Sequence, residues 1–148
     1  MKLNFSNVQT FGPMETDRVY GAEIESAVIG TSTGSGPGAK AGNPICTVRF
    51  KIVDTAGDDA AENRTMVDTL SLLDQGLFKM VGLLQAIGEV DPEEGLPDDY
   101  DFDPEVLKDR SVGLIMTNRV FEDEQRAQIR KYVNEEHIGK FTNEIYAS

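Results

Sequence analysis

The chain has 148 residues, an ordinary single domain's length, with 14 Lys+Arg against 26 Asp+Glu and a formal net charge of −12. Hydrophobic residues make up 39%, enough for a packed core and too many for a disordered chain. No apolar run approaches a membrane span, and the start, MKLNFSN, lacks the apolar stretch of a secretory signal. The one cysteine, Cys46, excludes an intrachain disulfide and a cysteine-based zinc cluster, and the one histidine, His137, excludes any site that needs two. A soluble, acidic domain of intracellular type, without a cofactor, is the expectation.

In chain order, residues 1–17 read as a lead-in with the isolated anchors Phe5, Val8 and Phe11. Arg18 to Gly30 alternates: Tyr20, Ala22, Ile24, Ser26 and Val28 share one side, which predicts a half-buried strand. Thr31 to Asn43 is a long glycine-rich loop. Pro44 to Asp54 is the cleanest strand, with Cys46, Val48, Phe50 and Ile52 on one face and Arg49 and Lys51 side by side on the other. A polar turn from Asp54 to Asn63 leads to a third strand, Arg64 to Leu72, in which Asp68 shares a face with Met66, Leu70 and Leu72, so its facing is ambiguous.

Asp74 offers a cap for a helix that carries Leu77, Met80, Val81, Leu84 and Ile87 and stops at Gly88. Gly88 to Glu105 then holds nine acids and no base; without those nine, the chain has 17 acids against 14 bases and is nearly balanced. The stretch is a loop by its prolines and glycine, ending in Asp103-Pro104-Glu105, which predicts a capped helical turn through Lys108. Ser111 to Val120 reads as a fourth strand and Phe121 to Gln125 as a turn. Arg126 to Val133 reads as a fifth strand that composition would equally allow as a short helix. Residues 1–134 form one domain in this reading and 135–148 a polar tail, with Ile138, Phe141, Ile145 and Tyr146 as scattered anchors that leave docking open.

Three strands, a helix and two strands give a mainly β chain whose order fits a five-stranded, partly open OB-like barrel with the helix between strands 3 and 4. The pattern alone also allows a generic α+β domain.

No enzyme signature emerges. GSGPGAK lacks the Gly before Lys40, the Ser or Thr after it and the following helix that a phosphate loop requires. Asp99, Asp101 and Asp103 start like a calcium loop, but Pro104 and Glu105 replace the turn glycine and Arg110 stands where the bidentate acid belongs. His137 has no partner for base catalysis nearby in sequence, and Cys46 falls on the inward parity of its strand, as a small buried hydrophobe does.

What remains is a binding face. Lys40, Arg49, Lys51, Arg64, Arg119, Arg126, Arg130 and Lys131, with Phe121 and Tyr132 interleaved, sit on the strands and loops that line an OB groove. Cations that track a backbone and rings on which bases stack suit a sequence-neutral single-strand binder, while Phe121 and Tyr132 taken singly suit a partly core position better.

The segments VYGAEIESAVIGTSTGSGPGAKAGNPICTVRFKIVD, RTMVDTLSL, GLFKMVGLLQAIGEVDPEE and DPEVLKDRSVGLIMTNRVFEDEQRAQIRKYV resemble a family of phage-encoded OB-fold single-stranded-DNA-binding proteins, formerly a domain of unknown function. The shared features are Gly42-Asn43-Pro44 before the second strand, a leucine-rich helix ended by Gly88, an acidic stretch leading to Leu107-x-x-Arg110-x-Val112, and a closing hairpin with a polar turn. The resemblance spans roughly residues 18–133. It implies a non-enzymatic protein of phage DNA replication or recombination in the cytoplasm of the infected bacterial host. Single-stranded DNA and phage replication or recombination proteins are its implied partners, with no membrane and with homo-oligomer formation left open. Arg49, Lys51, Arg126, Arg130 and Tyr132 are the implied contacts. The end, FTNEIYAS, holds one acid, Glu144, where many single-strand binders carry an acidic tail. The internal acidic stretch keeps a second reading open, an acidic protein-interaction module without nucleic-acid binding; a structural phage component is a third.

Overall fold

A computed structural model describes residues 12–31, 42–73, 77–91 and 100–146. The protein is mainly β: β1 (Val19–Thr31), β2 (Pro44–Asp54), β3 (Thr65–Ser71), β4 (Ser111–Phe121) and β5 (Glu124–Val133), with α1 (Leu77–Ala86) between β3 and β4 and α2 (Thr142–Tyr146) near the end. The strands form one antiparallel sheet in the order β3-β2-β1-β4-β5, and among the described residues no ladder closes it into a barrel. The residues expected to anchor the lead-in, Phe5, Val8 and Phe11, lie outside the described residues, as do Asp74, most of the first loop and residues 92–99 of the acidic stretch.

β2 follows its sequence pattern: Cys46, Val48, Phe50 and Ile52 are all buried, and Arg49 and Lys51 are exposed. β1 does not. Its register with β2 slips between Ile24 and Ser26, leaving Glu25 as the extra residue of a bulge. A bulge reverses the side-chain parity beyond it. Ala27 therefore packs against the core, whereas Ser26 and Val28, expected inside, pair with the outward Arg49 and Thr47. Two further slips lie between Gly21 and Ala22, where Val53 of β2 is the extra residue, and between Ile115 and Met116, whose partners on β5 are Lys131 and Ile129, so Arg130 is the extra residue there.

α1 buries Met80, Leu83 and Leu84 against β3 and β5. A ten-residue helix is too short to persist alone, and this burial, worth about 1.5–3 kcal/mol per large side chain, holds it. Gly88 ends the helical turn at φ +82, as the sequence signals. Asp103 caps the turn Pro104–Val106 by accepting from the Glu105 amide at 3.0 Å, also as expected. The expected five-residue turn between β4 and β5 is a two-residue hairpin at Glu122 and Asp123, both with positive φ. β5 is a strand throughout.

The tail is docked. Asn134 caps the turn Glu135–His137, and its amide donates to the Ala86 carbonyl at 3.1 Å. Beyond it, Gly139 donates to the Val19 carbonyl at 3.0 Å and Val19 donates to Lys140 at 2.9 Å. The tail thus takes over the edge of β1 where the β2 ladder ends at Gly21–Asp54. Ile138 and Ile145 then cover an outer-face cluster of Val19, Ile115 and Val133. Gly113 sits between two of these: a Cβ there would lie 2.7 Å from methyls of both Val19 and Val133. Gly113→Ala is expected to destabilise the protein by about 1–3 kcal/mol in chemical denaturation, the cost of an overpacked site.

Candidate nucleic-acid interface

The uncovered part of the outer face spans β1, β2 and β3. Its side chains stand in cross-strand rows set by the register: Val28–Thr47–Thr69, Ser26–Arg49–Val67 and Glu23–Lys51–Thr65. Arg49 and Lys51 occupy the middle strand, flanked by the exposed Val28, Val53 and Val67. The Arg49 Nε lies 3.6 Å from the Glu25 carboxylate, which the bulge brings beside it. Both partners are well exposed, so the pair adds little stability but offsets the local positive field.

The other expected contacts distribute differently. Arg119 and Arg126 face each other across the β4–β5 hairpin, with Glu124 3.8 Å from the Arg126 guanidinium. Followed across β1 and β4, the hairpin tip and the Arg49–Lys51 pair lie on opposite sides of the patch that the tail covers. Arg130 and Lys131 are exposed on β5, beside α1. Lys40 and the Phe121 side chain lie outside the described residues.

Two expected contacts are interior groups. Arg64, expected as a groove cation, is only 5% exposed. Its guanidinium donates to the Gly12 carbonyl, and burial lowers its pKa while nearby Tyr20 and Asp58 raise it. Arg64 shares its parity with Met66, Asp68 and Leu70, and that parity is the inward one. Tyr132, expected as a stacking platform, is 5% exposed, with its ring stacked on Phe50 at 5.5 Å. Its hydroxyl donates to Asp68 at 2.5 Å, and the Lys79 ammonium lies 2.7 Å from the same carboxylate oxygen. Lys79 also donates to the Ile129 carbonyl at 2.9 Å. Burial, then the Asp68 charge, pushes the Tyr132 phenol far above its ordinary pKa.

Phe78, which sequence reasoning passed over, is 76% exposed on the outer side of α1. The only available signal was negative: Phe78 falls off the Met80–Leu83–Leu84 stripe. Cys46 is buried, and burial pushes its thiol up to about 11, a weak nucleophile at neutral pH.

Tyr132→Phe is expected to lose about 1.5–3 kcal/mol of stability in denaturation, as for a bond to a charged acceptor. It should leave nucleic-acid affinity per folded molecule unchanged, since the ring is not at the surface. A pH series makes a second check. The Cys46 thiol holds its proton more tightly folded, at about 11, than unfolded, near 9.0, and the raised Tyr20 and Tyr132 phenols act in the same direction. Stability should therefore be full below about pH 9 and fall as the pH rises beyond it.

No protein-family model matches the chain, and a search of curated proteins finds no match.

Proposed function

We propose that this chain is a non-enzymatic single-stranded-DNA-binding protein of phage DNA replication or recombination, acting in the host cytoplasm, with the fold of a partly open OB barrel. The strand order supports the fold. An OB barrel cut between its third and fifth strands has the order β3-β2-β1-β4-β5, with a helix following the third strand. Side chains already span that cut, since Tyr132 on β5 reaches both Asp68 on β3 and Phe50 on β2. The phage assignment rests on the family resemblance of residues 18–133.

The observation that carries the binding reading is the bare outer face of β1–β3 with Arg49 and Lys51 at its centre. OB proteins bind oligonucleotides on this face, between the loops that join strands 1–2 and 4–5. Phosphates would lie along Arg49 and Lys51. Val28, Val53 and Val67 would meet bases and sugars, and Thr47, Thr65 and Thr69 would offer hydroxyls. With Tyr132 in the core, the interface is more electrostatic than the sequence suggests, and salt should weaken it strongly. The Arg119–Arg126 pair would extend the path beside the strand 4–5 loop.

Titration of a fluorescent thymidylate tract at several salt concentrations tests the reading. Replacing Arg49 and Lys51 with Ala should weaken binding and flatten the salt slope by about 1.4, at about 0.7 per phosphate contact on single strands. Glu25→Gln should strengthen binding, because it removes the carboxylate that competes for Arg49. The absence of binding to the tract, or binding that ignores salt, contradicts the proposal.

A further inference from the structure

A groove of about 590 Å³ runs between α1 and the free edge of β5, apart from the face assigned to nucleic acid. Its apolar surface comes from Phe78, Gly82 and Ala86 on the helix, Val133 on the strand and Ile145 of the docked tail. Small residues at two successive turns of α1 leave the hollow, and Phe78 stands exposed at one end.

The charge of this groove is anomalous. The chain as a whole carries 26 acids and a net charge of −12, yet no Asp or Glu lines the groove among the described residues. Arg130, Lys131 and His137 do. Lys79 lines it as well, paired with Asp68. His137 Nε2 lies 3.5 Å from Glu136, and its Nδ1 is buried without a hydrogen-bond partner among the described residues. The bulge on β5 supplies the pattern, since the extra residue is Arg130 and it sits next to Lys131.

We propose that this groove docks an acidic peptide with aliphatic or aromatic anchors, supplied by a partner protein. Charge complementarity sets the sign: carboxylates meet Arg130 and Lys131 on a chain whose net charge is −12. The wall chemistry selects peptide over nucleic acid. Gly82, Ala86, Val133 and Ile145 form an aliphatic slot that fits a leucine or phenylalanine side chain, whereas of the rings that line the groove among the described residues Tyr132 is buried and Phe78 stands exposed at one end, too little for a run of stacked bases. Size agrees, since the hollow falls within the range of sites that take a few side chains. The proposal stands apart from the DNA-binding reading, because it uses none of the outer-face residues of β2.

The test uses the full chain and a fluorescein-labelled peptide of alternating aspartate and leucine ending in phenylalanine, read by anisotropy. A second peptide has asparagine for aspartate. The acidic peptide should bind, weaken with salt and outcompete its neutral counterpart. Exchanging the two exposed cations, Arg130→Glu with Lys131→Glu, should weaken it by about tenfold or more, the scale of lost charge-assisted contacts. Gly82→Leu should fill the slot with a comparable loss; a Cβ at Gly82 meets nothing within 4 Å, so the fold accommodates it. The Arg49→Ala, Lys51→Ala variant should bind the peptide normally. Failure of the acidic peptide to bind, or binding that neither groove variant changes, overturns the proposal. So does a thymidylate tract that displaces the peptide while needing Arg130 and Lys131 itself.

Discussion

One carboxylate holds the two ends of this sheet together. Asp68 lies on the core face of β3, an edge strand, where an ionised side chain persists only if it is paired. Its partners come from two other elements: the Tyr132 hydroxyl from β5, the opposite edge, and the Lys79 ammonium from α1. Among the described residues no ladder joins β3 to β5; this contact joins them through side chains, and the stacking of Tyr132 on Phe50 ties β5 to β2 beside it. Lys79 completes the seam by taking the Ile129 carbonyl, a β5 backbone group left without a neighbouring strand.

The same seam determines which surfaces are left to function. Tyr132 is committed to the interior and cannot offer its ring to a base. α1 is drawn against β5, and the space between their outer sides becomes the groove that Arg130 and Lys131 line. The tail, by covering Val19, Ile115 and Val133, hides the middle of the outer face and leaves β1–β3 as the open area. A second polar knot serves the other end. The Tyr20 hydroxyl donates to Asp58 at 2.7 Å and accepts from the Glu15 amide at 2.9 Å, while Asn118 exchanges hydrogen bonds with Met14 in both directions. These contacts strap residues 12–18 across the sheet.

What could be read in the sequence was local and periodic. β2 was legible because its alternation runs unbroken from Ile45 to Val53, and so the exposed Arg49 and Lys51 were placed correctly. α1, its stop at Gly88 and the Asp103 cap carry chemistry that acts over a turn or two. The failures have a common origin in non-local geometry. The bulge at Glu25 reverses the second half of β1, and nothing in AEIESAVIG marks where the register slips. The bulge at Arg130 puts Ile129 and Tyr132, three apart, on the same inner face, so β5 lacks clean alternation and resembled a helix. Arg64 and Asp68 are charged residues on an inward parity, a sign of partners that only the fold supplies. Ile138 and Ile145 stood out in the polar tail as anchors, but they are spaced seven apart across a glycine, and no short-range pattern says that Val19, Ile115 and Val133 are what they cover.

The central functional claim concerns one surface, and backbone amide NMR during titration with a thymidylate tract addresses it most directly. The account predicts salt-sensitive shifts concentrated at residues 45–51 and 65–69 and in the outward part of β1, with the amides of α1 little changed. No shifts at any ratio of oligonucleotide to protein, or shifts confined to α1 and β5, would contradict it.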